Sequence, residues 1–199
     1  AMLTIQDIGI DLLDGQLFRN ISVTIFPGSI VRIKGQNGSG KTTFLRILAG
    51  VYSNYYGHIN LGSEIASLPV NYLAHNLGIK DDLTLIEQLE FWSKICGNPI
   101  LISSAVKYCG FEDMLEDYCY RLSSGNRQKL AMSRLIMAYS NFWLLDEIDS
   151  GMDDNNLSLL RNLILAKSNS GGIIIFSSHR DFLTPSFILD MEDYSAKAS

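Results

Sequence analysis

Gly35-Gln36-Asn37-Gly38-Ser39-Gly40-Lys41-Thr42-Thr43 is the stretch that decides the fold. It fits G-x-x-x-x-G-K-[ST], the phosphate-binding loop of nucleotide hydrolases. Its flanks matter as much as the pattern. Ile30-Val31-Arg32-Ile33-Lys34 ahead of it alternates as a strand does, and Phe44, Ile47, Leu48 and Val51 behind it recur at helical spacing. Strand, glycine-rich loop and helix in that order build an anion site. The glycines let successive backbone N–H groups converge on phosphate oxygens, and the helix N-terminus adds its positive dipole end. In such a site Lys41 reaches the β- and γ-phosphates of a nucleotide, and the Thr42 hydroxyl is a Mg²⁺ ligand.

A partner for this loop lies a hundred residues on. Phe142-Trp143-Leu144-Leu145 is a continuous apolar run, as expected of a strand covered on both faces of a parallel sheet, and it ends in Asp146-Glu147. Ligands of open α/β sheets bind at the C-terminal ends of strands. There Asp146 is placed to hold Mg²⁺ through water, and Glu147 to orient, or take a proton from, the water attacking a γ-phosphate.

The 199 residues suffice for one domain with a full core, or a domain with a small subdomain. Forty-seven per cent hydrophobic and 19% charged residues indicate a globular chain. A formal net charge of −5 gives no general attraction to nucleic acid, so no nucleic-acid partner is expected. Cys96, Cys109 and Cys119 lack metal-ligand spacing and read as reduced thiols. Ala1-Met2-Leu3-Thr4 has no basic, apolar leader and Ala1 reads as a cloning remnant; no apolar run spans a bilayer.

Leu3 and Ile5, the turn signal Asp14-Gly15, and Ile21, Val23 and Ile25 predict an N-terminal antiparallel β-subdomain. Short strands are expected at Gly57–Gly62 and Ser67–Ala74. The texture then turns helical. Thr84-Leu85-Ile86-Glu87 is a capping box ahead of Leu85, Leu89, Trp92 and Cys96 on one face, and Ile100–Cys109 and Phe111–Glu116 read as shorter helical pieces. With no strand candidate here, about 77–120 is expected to be a helical subdomain inserted into a core made of about 1–76 and 121–199. Helices at Asn126–Tyr139 and Asp153–Lys167, a buried strand at Ile173–Phe176 and a last edge strand at Phe187–Met191 complete an α/β reading.

Leu122-Ser123-Ser124-Gly125-Asn126 stands shortly before the Asp146-Glu147 strand, at the start of a helix. On these residues the chain resembles the ATP-binding cassette (ABC) ATPases, whose signature is usually Leu-Ser-Gly-Gly-Gln. Ser124 and Asn126 are the departures. The resemblance implies a P-loop ABC-type α/β core binding ATP and Mg²⁺, and a homodimer formed on ATP binding. In it Ser123, Ser124 and Gly125 of one copy contact the γ-phosphate held by the other. A helix N-terminus is itself an anion site, and Ser123 can equally serve as a helix cap. The resemblance also implies that His179 is the switch histidine contacting the γ-phosphate, and that Gly151-Met152-Asp153 crosses the dimer interface. Ile148 replaces the usual proline after Glu147. Leu12 and Leu13 stand where an aromatic ring often stacks on adenine, which implies weak base recognition.

His75 replaces the family's glutamine that touches both Mg²⁺ and the membrane partner. The sequence around it, Tyr72-Leu73-Ala74-His75-Asn76-Leu77-Gly78-Ile79-Lys80, with Gly171-Gly172-Ile173, resembles one subfamily, the ATP-binding subunits of the haem exporter of bacterial cytochrome c maturation. That resemblance implies transmembrane partner subunits of an ABC transporter and a peripheral place on the cytoplasmic face of the inner membrane. Alternatives are the ATPase subunit of another importer or exporter, a soluble non-transport ABC ATPase, and a kinase. The compact acidic chain lacks the coiled coils, basic surfaces or second cassette of the soluble class, and a kinase leaves Ser123 and Gly125 without a role.

Overall fold

A computed structural model describes residues 2–12, 15–66, 70–75, 77–96 and 98–196. Ala1, Leu13, Asp14, Ser67–Pro69 and Asn76, named above, lie outside the described residues, as does the side chain of Cys96.

Strands β1 (Leu3–Leu12) and β2 (Gly15–Ile25) pair antiparallel, with Leu12 opposite Gly15. The alternation of Leu3 and Ile5 does not run on unbroken. Asp7 takes φ 49°, the register with β2 shifts between Ile5 and Ile8, and burial resumes at Ile8 and Ile10. Ser22 Oγ serves the bulge: it accepts the Asp7 N–H at 2.8 Å and donates to Asp7 Oδ1 at 3.0 Å.

Strand β3 (Ile30–Lys34) delivers the phosphate loop to helix α1 (Lys41–Leu48). Two expectations change here. Arg32 is buried, because β3 lies between two other strands and is covered on both faces, so it does not alternate. Val51 is exposed beyond the end of α1, and Phe44, Leu45, Ile47 and Leu48 form the buried face. Strand β4 (Tyr56–Leu61) turns back to pair antiparallel with β1, giving a three-stranded sheet in the order β2-β1-β4. A one-turn helix α2 (Ser63–Ala66), not expected from the sequence, and strand β5 (Asn71–Leu73) follow.

Helix α3 (Leu85–Cys96) begins on the expected capping box: the Thr84 N–H donates to Glu87 Oε2 at 2.8 Å, and the Glu87 N–H to Thr84 Oγ1 at 3.3 Å. A 3₁₀ turn at Pro99–Leu101 leads into α4 (Ile102–Cys109). Phe111–Glu116 forms turns rather than a helix. Met114 N–H bonds back to Phe111 O and Asp117 N–H to Met114 O, and no longer ladder develops. The ends of this region meet where the Cys119 N–H donates to Leu83 O and the Leu85 N–H to Asp117 O, both at 2.9 Å.

Helix α5 (Ser124–Met137) ends before Tyr139, which is exposed rather than on its apolar face. Strand β6 (Phe142–Asp146), helix α6 (Asp154–Asn169), strand β7 (Ile173–Ser177) and strand β8 (Phe187–Asp190) complete a parallel sheet in the order β5-β6-β7-β3-β8, with β8 at an edge.

Apolar side chains collect in three groups. One lies between the N-terminal sheet, α1 and one face of the parallel sheet, around Phe18, Ile33 and Phe44. A second joins the other sheet face to α5 and α6, around Trp143, Leu160 and Ile174. The third holds Leu85, Leu89, Trp92 and Phe111 against Leu130 and Met137 of α5. Helix α5 therefore buries two faces: Met132 and Leu135 toward the sheet group, Leu130 and Met137 toward the helical one. Cys109 and Cys119 are free and buried, and burial pushes the Cys109 thiol up to about 12. Among the described residues no helix is long and apolar enough to cross a membrane.

Candidate active site

The strand order brings the two distant motifs to one end of one sheet. Thr42 Oγ1, on the first turn of α1, donates to Asp146 Oδ2 at the end of β6 at 2.7 Å. Ser177 Oγ, at the end of the neighbouring β7, donates to Asp146 Oδ1, also at 2.7 Å. Both carboxylate oxygens are thus engaged, and the carboxyl group is buried. Ser177 was not singled out in the sequence. The register that pairs Asp146 with Ser177 identifies it, and that register belongs to the sheet rather than to either segment.

Glu147 adopts φ 52°, a left-handed backbone that non-glycine residues seldom take and that costs about 1–3 kcal/mol. Its N–H is fixed by Ser177 O at 3.2 Å and Ser177 Oγ at 3.1 Å. This turn swings the carboxylate away from the strand axis to where His179 Nε2 stands 3.0 Å from Glu147 Oε1. Both side chains are partly open to solvent, so the pair contributes little to stability. Its interest is its position. Residues bound by strain and exposed charge beside a phosphate loop are there for a reaction rather than for the core.

In the loop, Lys41 Nζ donates to Gly35 O at 2.6 Å and Gln36 O at 3.1 Å, which folds the ammonium over the loop. Glycine is required at two points. A Cβ on Gly40, at φ 100°, would stand 2.6 Å from the Phe18 ring, and one on Gly35, at φ 154°, 2.4 Å from Ser39 Oγ. The Ser39 hydroxyl is buried without a hydrogen-bond partner. Gln36 N–H donates to Glu192 Oε1 at 3.1 Å, a C-terminal contact that the sequence did not reveal. A cleft of about 420 Å³ opens on the loop, lined by Leu12, Leu17, Gly38, Lys41, Thr42 and Glu147 among others. Leu12 was read from the sequence as a neighbour of a base; Leu17 was not.

These residues fit a Mg²⁺–nucleotide. Thr42 and Asp146 bring two hard oxygen donors together, which is the donor type Mg²⁺ takes. At Gly35 and Gly40 the cradle has no room for a Cβ, and its cation and N–H groups suit phosphate.

The signature residues stand elsewhere. Ser123 Oγ caps α5 by accepting the Asn126 N–H at 3.1 Å. Ser123 and Ser124 are exposed, Gly125 O accepts from Asn156 Nδ2 at 3.0 Å, and none of the three lines the cleft of its own chain. Asp153 Oδ1 caps α6 by accepting the Asn156 N–H at 2.8 Å, so this asparagine joins the two helix starts. His75 follows β5 at the same end of the sheet, since Leu73 pairs with Leu145 just before Asp146. It is exposed, and among the described residues no hydrogen bond or ion pair joins it to Thr42, Asp146 or Glu147.

The turn after β7 carries residues that sequence reading passed over. Ser178 Oγ donates to Asp149 Oδ2 at 2.6 Å, and Arg180 Nη1 to Met152 O at 2.7 Å. Burial raises the Asp149 carboxyl above its ordinary value, against the Ser178 hydrogen bond that lowers it.

The model of the ABC transporter family matches residues 18–150, more than half of the chain. A cytochrome c biogenesis ATP-binding export protein CcmA from Rickettsia bellii is 40% identical over 185 residues, 90% of this chain and 94% of that protein. Its namesake in Bartonella henselae is 36% identical over 168 residues, covering 82% and 81%. Among solved structures, an ABC transporter ATP-binding protein from Pyrococcus furiosus superposes with a TM-score of 0.84 over 98% of this chain and 100% of its own, at 21% identity. At that identity the likeness concerns the fold.

Proposed function

Because the chain belongs to the ABC transporter family, as an ATP-binding subunit that hydrolyses ATP, we propose that it drives separate transmembrane subunits in haem export or release during cytochrome c biogenesis. The observation that carries the site reading is the convergence of Thr42, Asp146, Glu147 and His179 at one end of the sheet. The N–H groups of residues 36–40 and Lys41 take the β- and γ-phosphates of ATP. Thr42 and Asp146 would hold Mg²⁺, which would supply neutralising charge to the phosphates. Glu147 orients the attacking water and accepts its proton as the β–γ bridging P–O bond breaks. His179 contacts the γ-phosphate from beside Glu147.

Ser123, Ser124 and Gly125 act in trans. Their absence from their own cleft supports a head-to-tail dimer closing on two ATP molecules. About 77–120 is read as the helical subdomain of this single domain, supported by its separate apolar group. The subunit is placed peripherally on the cytoplasmic face of the membrane, with His75 near the docking surface of the membrane partner.

Tagged protein purified from native membranes in mild detergent is expected to bring down membrane subunits of cytochrome c biogenesis. Recovery of another transporter's membrane subunits instead would overturn the haem reading and leave the ATPase intact. For the dimer, Ser123→Arg and Lys41→Ala are each expected to be inactive alone, while mixing them restores part of the activity through one intact composite site. An active Ser123→Arg homodimer would rule out the trans site.

A further inference from the structure

Arg32 is a cation in the middle of a covered strand. It is only 7% exposed, and the register sets it beside Phe176 of β7 and Ile188 of β8. A buried charge is unfavourable unless paired, and this one spends its guanidinium in one direction. Nη1 donates to Asp181 Oδ1 and Nη2 to Ser178 O, the latter at 3.1 Å, while Nε is buried without a partner. Asp181 and Ser178 are the two ends of the turn that holds His179 and Arg180 between them.

The other anchors of this turn run elsewhere. Ser178 Oγ bonds Asp149 and Arg180 Nη1 bonds Met152 O, so both lead to the segment that follows Glu147. Arg32 leads instead to the strand that carries the phosphate loop, three residues before Gly35. We infer that Arg32 is a positioning residue for His179, tying the histidine's turn to the phosphate-loop strand and so setting where the imidazole stands relative to Glu147 and a bound γ-phosphate. The inference rests on the proposed role of His179. A guanidinium suits the task because its planar fork engages a carbonyl and a carboxylate at once, which a lysine cannot copy.

The test uses the full chain with two variants, Arg32→Gln and Asp181→Asn. The Asp181 side chain is 91% exposed, so its substitution leaves folding little changed even where loss of Arg32 does not. Expected for Arg32→Gln is a fall in kcat of about tenfold with KM for ATP unchanged, since a small displacement of a reacting group costs rate before binding. Asp181→Asn is expected to lower kcat about threefold, a smaller loss because the Ser178 carbonyl still holds the guanidinium and the lost partner is exposed. Arg32→Lys is expected to resemble Arg32→Gln. The chain has three histidines, so imidazole ¹⁵N spectra offer a direct readout. The His179 signals should shift or broaden in both variants while those of His58 stay.

Unmoved His179 signals with unchanged kcat in Asp181→Asn and Arg32→Gln would overturn the inference. So would an unchanged His179 spectrum accompanied by a rise in KM, the mark of a strand defect that reaches the phosphate loop. In a His179→Ala background the two substitutions are expected to cost nothing further, and undiminished losses there would count against positioning. Full turnover of His179→Ala by itself would remove the histidine's proposed role, and the spectra would still decide whether Arg32 places the ring.

Discussion

Ser177 Oγ donates to Asp146 Oδ1 at 2.7 Å, and the same hydroxyl accepts the backbone N–H of Glu147 at 3.1 Å. One serine thereby fixes the orientation of a buried carboxylate and the left-handed turn of the residue after it. Ser177→Ala keeps the carbonyl that also holds the Glu147 N–H, but leaves Asp146 Oδ1 short of a donor. An unsatisfied buried carboxylate oxygen costs about 1–3 kcal/mol, which in a domain of this size lowers Tm by several degrees. Turnover should fall together with Tm, because both Asp146 and Glu147 lose their support. Thermal denaturation and steady-state ATPase assays check this; a fall in neither would make the hydrogen bond incidental.

Glu147→Gln separates chemistry from binding. The amide keeps the shape of the side chain and loses the ability to accept a proton, for a loss of about 100-fold or more in turnover. ATP binding should persist, with the ATP-bound dimer accumulating. Lys41→Ala is expected to do the reverse, weakening ATP binding at least about tenfold by removing charge-assisted hydrogen bonds to phosphate. Equilibrium binding and size-exclusion chromatography with and without ATP distinguish the two. Wild-type turnover in Glu147→Gln would dismiss this residue as the base.

How much of this was legible depends on how local each feature is. The phosphate loop is spelled by nine consecutive residues because its glycines, cation and helix start are covalently adjacent. Asp146 and Glu147 were legible because β6, covered on both faces, reads as an unbroken apolar run that ends where it meets a carboxylate. Ser177 and Arg32 were not, since their partners lie across the order β6-β7-β3, 31 residues away for Ser177 and 146 and 149 residues away for Arg32. Arg32 even misled: in a five-residue strand one charged residue looks like the solvent side of an alternation, whereas tertiary pairing buries it. The apolar spacing that included Val51 ran past a helix end at Gly50, whose φ of 73° breaks the period. At Phe111–Glu116 local turns used the backbone groups that a helix would have needed.

Asp149 gives a pH signature with a definite sign. Burial raises its carboxyl above the ordinary 3.8. A raised value in the folded state means that the group's stabilising contribution is complete below the ordinary value and is lost as pH rises through the folded one. At neutral pH the ionised carboxylate therefore works against folding. Asp149→Asn carries no such charge and still offers Ser178 Oγ an acceptor. The variant's Tm, relative to the wild type, is expected to be more favourable near pH 7.5 than near pH 3, the difference growing between the ordinary value and the raised folded one and levelling above it. A Tm difference that does not vary with pH would show that Asp149 titrates alike in the folded and unfolded chain.

His75 lies at the same end of the sheet as Asp146 but is exposed and unconnected to it by hydrogen bonds. Mg²⁺ prefers oxygen donors, so an imidazole nitrogen is a poor direct ligand and a glutamine amide oxygen a better one. His75→Gln is therefore expected to keep ATPase activity within about twofold, with half-saturation at no more Mg²⁺ than the wild type requires, while His75→Ala shows whether any donor is needed there. His75 is also exposed, and the proposed function sets it near the docking surface of the membrane partner. His75→Gln is accordingly expected to hydrolyse ATP and yet support less cytochrome c maturation in cells. Full maturation with unchanged Mg²⁺ dependence in both variants would leave His75 as a surface residue, and the haem-export reading would then rest on the similarity of the whole chain rather than on this position.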